Sequence, residues 1–166
     1  MATKVAHPTV EERRARGRDA ADRTPVAAIR EWAPATDRPD PIRLLEGQNA
    51  TREADLVPVR HGRMSISPFT FYQGAAKIMA ADLETSPRSG LTVQLCGDAH
   101  LYNFGAYASP ERRLLFDLND FDETLPGPFE YDVERMAASF AIAARNNAFA
   151  KADVKSVTIA CVASYR

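Results

Sequence analysis

Two short apolar runs rich in strand-forming residues interrupt a chain whose remaining pattern is mostly helical. The first is LTVQLC, residues Leu91–Cys96, and the second is RRLLFDL, residues Arg112–Leu118. Short apolar runs of this composition, bounded by turn residues, are typical of strands. Around them, apolar residues recur three and four positions apart, which is the spacing of helices. The sequence therefore predicts an α+β fold whose two strands carry the loops that follow them.

The chain divides into a polar N-terminal part and a globular part. Residues 1–41 are predicted to form a charged arm and a proline-rich linker, because residues 11–23 hold five arginines and four acids with few apolar side chains. The linker is interrupted by Pro25, Pro34, Pro39 and Pro41. We expect Trp32, the single tryptophan, to anchor the linker onto the globular part. Residues 42–166 form the predicted domain.

Helices are predicted on both sides of the strands. A break is expected at Pro58, and Ser67 can cap a further helix that has Pro68 in its first turn. That helix is predicted to end at the turn of residues Ser86–Gly90, and its core face is predicted to be Tyr72, Ala76, Met79 and Leu83. Further along the chain, Pro126 and Pro128 are expected in a loop.

Two helical segments follow the second strand. The first is expected to bury Val133, Met136, Phe140 and Ala144. The last segment, with apolar residues at Val154, Val157, Cys161 and Tyr165, continues to Arg166 without a Gly, Asn or Pro stop signal. From this we expect the chain to be the N-terminal portion of a longer protein.

Charge and composition exclude several classes. Lys and Arg total 21 against 22 acids, so the formal net charge is -1 and a general nucleic-acid binder is not expected. Cys96 and Cys161 lie far apart and match neither a zinc pattern nor a disulfide framework. There is no apolar signal region, and no charge-free run of about 18 apolar residues could span a bilayer. We therefore expect a soluble, cytoplasmic protein without nucleic-acid or membrane partners.

Two polar blocks follow the predicted strands and carry the candidate chemistry. Gly97–Gly105 reads GDAHLYNFG, and Asp117–Glu123 reads DLNDFDE. Between Asp117 and Glu134 no Lys or Arg offsets the acids Asp117, Asp120, Asp122, Glu123, Glu130, Asp132 and Glu134. Such a concentration of like charge is unfavourable unless a cation or exposure to solvent relieves it. Oxygen ligands favour a hard cation such as magnesium.

Phosphoryl transfer gives these residues a coherent use. In enzymes of this class, an Asp orients or deprotonates the attacking hydroxyl, and an Asn five positions later helps to bind a metal ion. A second Asp binds the metal ion that bridges the nucleotide phosphates. Asp98 and Asn103 have this spacing, and Asp120 lies at the end of the second predicted strand. His100 lies between the first two and could support the loop. The simpler alternative is a turn capped by Asp98 and Asn103, with surface acids behind it.

At these residues the sequence resembles known families. GDAHLYNFG followed by NDFDE is similar to the catalytic and metal loops of the aminoglycoside phosphotransferase-like branch of the protein-kinase fold, typified by HGDxHxxN and a later IDFD. More closely, residues 49–145 resemble a bacterial family, domain-of-unknown-function family 2252. The matching stretches are LVPVRHGRM, SPFTFYQGAA, VQLCGDAHLYNFG, FDLNDFDETLPGPFEYD and RMAAS.

The kinase-like resemblance implies a fold, roles and cofactors. It implies that residues 42–166 form an incomplete kinase-like domain with a catalytic Asp98 and with metal ligands at Asn103 and Asp120. Asp132 matches an aspartate that supports the catalytic loop, and Asp122 and His100 are further supporting residues. The implied cofactors are Mg²⁺ and a nucleoside triphosphate, with ATP expected, and the implied substrate is a small molecule.

The sequence departs from these patterns at several points. Gln73 stands in FYQGAA where a basic residue is expected in the domain family. No glycine-rich loop or strand lysine precedes the Asp98 block, so no residue is assigned to nucleotide binding. Lys77, the only lysine between Val5 and Ala150, lies in a helical pattern and is expected to be a solvated charge. Arg60, together with His61 and Arg63, could bind an anionic substrate or form ion pairs with the acidic loop.

Two other functions remain open. GDAH also resembles the opening metal loop of metal-dependent phosphoesterases, which need further histidine ligands, yet no histidine follows His100. The missing lysine and glycine-rich loop would also suit a non-catalytic, pseudokinase-like nucleotide-binding module.

Overall fold

The computed structural model describes residues 7–25 and 33–165, and it has the α+β composition predicted from the sequence. Trp32, and with it the anchoring contact expected of this residue, lies outside the described residues. The helices and strands in chain order are α1 (Val10–Arg23), α2 (Pro41–Asn49), α3 (Leu56–Met64), α4 (Pro68–Gln73), α5 (Ala76–Glu84), β1 (Thr92–Leu95), β2 (Phe104–Ala108), β3 (Leu114–Leu118), β4 (Leu125–Pro128), α6 (Phe129–Asn146) and α7 (Lys151–Tyr165).

Within the described residues the strands form two separate antiparallel pairs. β1 pairs with β4, where Leu95 lies opposite Leu125, and β2 pairs with β3. Both predicted strands are present, as β1 and β3, but they do not pair with each other. Each pairs with a strand that the sequence did not indicate.

The prediction of a loop at Pro126 and Pro128 was wrong, because both prolines lie in β4. A strand with a neighbour on one side needs only half of its amide groups for pairing, and proline is tolerated where its nitrogen faces the open side. The predicted connection between the two strands also contains a strand, β2. In the sequence, the β2–β3 hairpin therefore lies between β1 and β4, which form the outer pair.

The helices before β1 differ from prediction in two places. Pro58 lies within the first turn of α3 and does not break it, because the first amides of a helix have no partner within the helix. The expected single helix from Pro68 is two helices, α4 and α5, separated at Gly74 and Ala75. Its predicted start is confirmed, since the hydroxyl of Ser67 accepts from the amide of Thr70 at 3.1 Å. A side-chain carbon on Gly74 would collide with the buried side chain of Met64.

Helix α6 carries much of the contact between the helices and the strands, and its buried face differs from the predicted one. Of the four residues expected in the core, Ala144 is buried, whereas Val133, Met136 and Phe140 are only half-buried. The most enclosed side chains of this helix are polar, with Ser139 at 0% and Arg135 at 2% exposure. They are buried because they have polar partners in the loop after β1.

None of the helices in the described residues combines the length and the apolar character needed to cross a membrane.

Candidate functional site

The two polar blocks meet, although their strands belong to different pairs. We call residues 96–103 the Asp98 loop and residues 119–124 the Asp120 loop. Gly97 has φ of +94°, and a side chain there would collide with the main-chain carbonyl of Glu123. The hydroxyl of Thr124 donates to the carbonyl of Leu95 at 2.6 Å, next to the start of the Asp98 loop. The Asp98 loop and the Asp120 loop therefore lie against each other.

Asp98 is held by a buried arginine. Nε of Arg135 donates to Oδ1 of Asp98 at 2.5 Å, and the guanidinium also forms an ion pair with the same oxygen. The arginine donates to the main-chain carbonyl of Tyr72 at 3.1 Å and lies over the ring of Tyr72, 4.5 Å from its centroid. The carboxylate is thus fixed in position, with its side chain 19% exposed.

His100 lies beside this ion pair. Its side chain is buried, and Nε2 lies 3.6 Å from Oδ2 of Asp98, a distance too long for a good hydrogen bond. Burial lowers the pKa of His100, and the negative charge of Asp98 opposes this effect. Nδ1 is buried and has no hydrogen-bond partner within residues 7–25 and 33–165. The geometry suits a neutral ring that fills space beside Asp98.

Asn103 closes the Asp98 loop on itself. Its buried side-chain Nδ2 donates to the main-chain carbonyl of Asp98 at 2.6 Å. The main-chain carbonyl of Asn103 accepts from the amide of Asn119 at 2.9 Å, which ties the Asp120 loop to the same point. Since the amide nitrogen is used for loop closure, the side-chain oxygen is the atom that could serve a metal ion.

Asp132, in the first turn of α6, holds the beginning of the Asp98 loop. Its carboxylate accepts from the amide of Cys96 at 2.8 Å and from the amide of Gly97 at 3.2 Å. These are the hydrogen bonds expected of it, although the residue is half-buried and not fully enclosed. Burial and the charge of Asp132 raise the pKa of Cys96 to about 12, so this thiol is a poor nucleophile near neutral pH.

The acids of the Asp120 loop are more exposed. Oδ1 of Asp120 accepts from the amide of Asp122 at 3.3 Å, and both residues are exposed. Glu123 is also exposed, yet partial burial of its carboxyl raises its pKa. The negative charges of Asp98 and Asp120 raise this pKa further, whereas Arg135 and Arg60 lower it. Asp98, Asp120 and Glu123 therefore share one electrostatic environment.

Residues 52–166 match the family described as "Uncharacterized protein conserved in bacteria (DUF2252)". The chain belongs to this family. The DUF2252 match includes α3, both candidate loops and Arg135, and it leaves α1 and α2 outside. Neither a curated protein nor a solved structure matches the chain. The kinase-like resemblance therefore stays a prediction.

A magnesium ion at this DUF2252 site would have few protein ligands. Nowhere in residues 7–25 and 33–165 do three or more His, Cys, Asp or Glu side chains form a metal-binding group. Asn103 and Asp120 would supply one oxygen ligand each. Mg²⁺ is commonly bound through one or two protein ligands, with waters and substrate phosphates completing its shell, so two ligands suffice when a nucleotide is present.

Sequence reasoning did not identify Arg135, the buried partner of Asp98. A charged residue on the inner side of a predicted amphipathic helix is the signal that could have revealed it, since a buried charge requires a partner. Lys77, by contrast, lies exposed on α5 as expected.

Proposed function

We propose that this DUF2252 chain is a cytoplasmic bacterial kinase-like phosphotransferase that uses Mg²⁺ and a nucleoside triphosphate, with ATP expected, to phosphorylate a small-molecule acceptor. The observation that carries this proposal is the closed Asp98 loop. Asn103 is bonded to the carbonyl of Asp98, and Asp132 is bonded to the amides at the start of the loop. This rigid arrangement favours catalysis by positioning, which dominates phosphoryl transfer.

Each residue would have a separate role. Asp98, fixed by Arg135, would orient the acceptor hydroxyl and receive its proton as the oxygen attacks the terminal phosphorus. The bond from that phosphorus to the bridging oxygen would break, and the nucleoside diphosphate would leave. Asn103 and Asp120 would hold Mg²⁺, which neutralises phosphate charge. His100, Asp122 and Asp132 would support the loops.

Titration calorimetry separates these roles. The parent chain, Asp120→Asn and Asp98→Asn are titrated with Mg²⁺ and a non-hydrolysable ATP analogue, and ADP formation from ATP is followed with a panel of small alcohols and sugars. Asp120→Asn should weaken binding of the Mg²⁺–nucleotide pair by about tenfold or more, as expected for loss of one charged metal ligand. Asp98→Asn should bind like the parent but form no ADP above background.

Asp37→Asn, at an exposed position outside both loops, is the matched control and should behave like the parent. The phosphotransferase proposal is wrong if the parent does not bind the Mg²⁺–nucleotide pair, or if Asp120→Asn binds it with parental affinity. Metal-dependent hydrolysis of a simple phosphate ester without nucleotide would indicate the phosphoesterase alternative. Nucleotide binding without turnover would indicate the pseudokinase-like alternative.

A further inference from the structure

A cleft of about 760 Å³ lies along helix α3, outside the Asp98 loop. This volume falls in the range of small-molecule sites. Leu56, Val59, Arg60 and Arg63 line it from α3, and their spacing of three and four positions places them on one face of that helix. Arg52 also lines the cleft, so basic and apolar side chains share its wall.

Among the described residues, no ion pair balances the positive charge of this cleft. The ion pairs found in the described residues involve Arg38, His100 and Arg135, and none involves the three arginines of the cleft. Glu53 is the single acid among the lining residues that the structure describes. The alternative in which Arg60, His61 and Arg63 form ion pairs with the acidic loop is therefore not seen among the described residues.

Arg60 shows how closely these charges are placed. It donates to the main-chain carbonyl of Gly74 at 2.8 Å, which fixes its guanidinium at the cleft wall. Partial burial and the positive charge of Arg52 lower the pKa of Arg60, whereas the negative charges of Glu123 and Asp98 oppose this effect. A bound anion would add opposite charge next to Arg60 and Arg52.

The apolar part of the wall is also open. Leu56 is 57% exposed, Val59 is 51% exposed and Ile66 is 74% exposed, and all three line the cleft. A ligand that carried only an anionic group would leave these side chains in water, whereas one with an apolar body would cover them. We propose that the cleft along α3 binds a small amphipathic anion, with a carboxylate, phosphate or sulfonate group at the arginines and an apolar body against Leu56, Val59 and Ile66.

Two matched dyes test this site. 1-Anilinonaphthalene-8-sulfonate is an aromatic anion, and N-phenyl-1-naphthylamine is its uncharged counterpart. We expect the anionic dye to bind the full chain in a saturable manner, with fluorescence that increases on binding. The double variant Arg52→Gln/Arg63→Gln should weaken the anionic dye by about tenfold, the combined effect of two partly exposed charges. It should leave the uncharged dye unchanged.

Further variants separate charge from apolar contact. Arg63→Lys should retain most of the anion binding, because it keeps the charge, whereas Ile66→Ser should weaken both dyes. Arg113→Gln is the control, since it removes an arginine beside Leu114 and Phe116, which are 81% and 75% exposed and offer the dyes a competing surface. Circular dichroism and thermal melting verify that each variant is folded, because partly folded chains also bind the anionic dye.

The cleft assignment would be overturned if the double variant bound the anionic dye like the parent. It would also be overturned if Arg113→Gln weakened the dye as much as the double variant did, because the dye would then be bound at the β2–β3 hairpin. This site does not depend on the phosphotransferase proposal. A failure of Mg²⁺–nucleotide binding would leave it intact.

Discussion

Replacement of Arg135 by methionine should destabilise the fold substantially. The arginine side chain is 3% exposed and the Asp98 side chain 19% exposed, so the substitution leaves a mostly enclosed carboxylate without its counter-charge. Loss of one partner from a buried ion pair costs about 3–5 kcal/mol. Since Asp98 keeps some access to water, we expect the lower end of that range, about 3 kcal/mol.

Urea unfolding followed by circular dichroism measures this loss. A domain with an ordinary free energy of unfolding, about 5–15 kcal/mol, would remain folded in water after this loss of stability. The folded and the unfolded baselines of the urea transition would therefore both be measurable. Asp98→Asn alone should also destabilise, because Arg135 then lies buried without an anion. In the double variant Arg135→Met/Asp98→Asn, the loss in free energy of unfolding should be smaller than the sum of the losses in the two single variants. We expect the difference to be about 1.5 kcal/mol or more.

Arg145→Met, at an exposed position of the same helix, controls for the change of side chain and should alter stability by less than about 0.5 kcal/mol. If the losses from the Arg135 and Asp98 substitutions simply add, within about 0.5 kcal/mol, the two side chains are not coupled and the ion pair does not contribute as described.

Three further predictions follow from single positions. Gly97→Ala should lower the free energy of unfolding in urea by at least about 1–3 kcal/mol, because the backbone conformation of Gly97 is strained for alanine. The control Gly62→Ala lies in open space on α3 and should instead raise that free energy by about 0.5–1 kcal/mol. Equal effects of the two substitutions would contradict this prediction. Asp132→Ala should leave two amides without an acceptor and so speed their hydrogen exchange, measured by NMR, whereas unchanged exchange would show that the carboxylate does not hold the loop. Burial, with the nearby charge of Glu130, raises the pKa of Glu134, so its contribution to stability is present below pH 4.5 and is lost as the pH rises through the higher folded pKa. Glu134→Gln should therefore gain stability relative to the parent between pH 4 and pH 7, and a constant difference across that range would show that Glu134 does not titrate as described.

Local sequence patterns were sufficient for the elements that depend on neighbouring residues. The strands β1 and β3 and the cap at Ser67 follow from composition and from the residues next to them. β4 could not be predicted in this way, because Pro126 and Pro128 ordinarily indicate a loop. Only its pairing with β1 on one side makes these prolines acceptable.

The candidate site shows the same limit. A turn capped by Asp98 and Asn103 was the simpler alternative offered by the sequence, and the structure contains a hydrogen bond from the Asn103 side chain to the Asp98 carbonyl. Arg135 was missed because its burial is made possible by Asp98, a partner 37 positions away in the sequence. The burial of Ser139 likewise depends on the amide of Leu101, to which its Oγ is bonded at 2.9 Å. A search for apolar periodicity cannot detect a helix face that is buried through polar partners.

The nesting of the strand pairs sets an order for folding. β2 and β3 are joined by a short turn, and hairpins of this kind close within about 1–10 μs. The outer pair must join across a much longer segment, since the bond from Thr124 to Leu95 spans 29 positions, and closure of this segment costs more chain entropy. Once the inner hairpin ties Asn119 to Asn103, the remaining gap is short and the outer strands can pair. The Asp98 and Asp120 loops are the two connections between the inner and the outer pair, so in this order of closure they would meet only after the inner hairpin has formed.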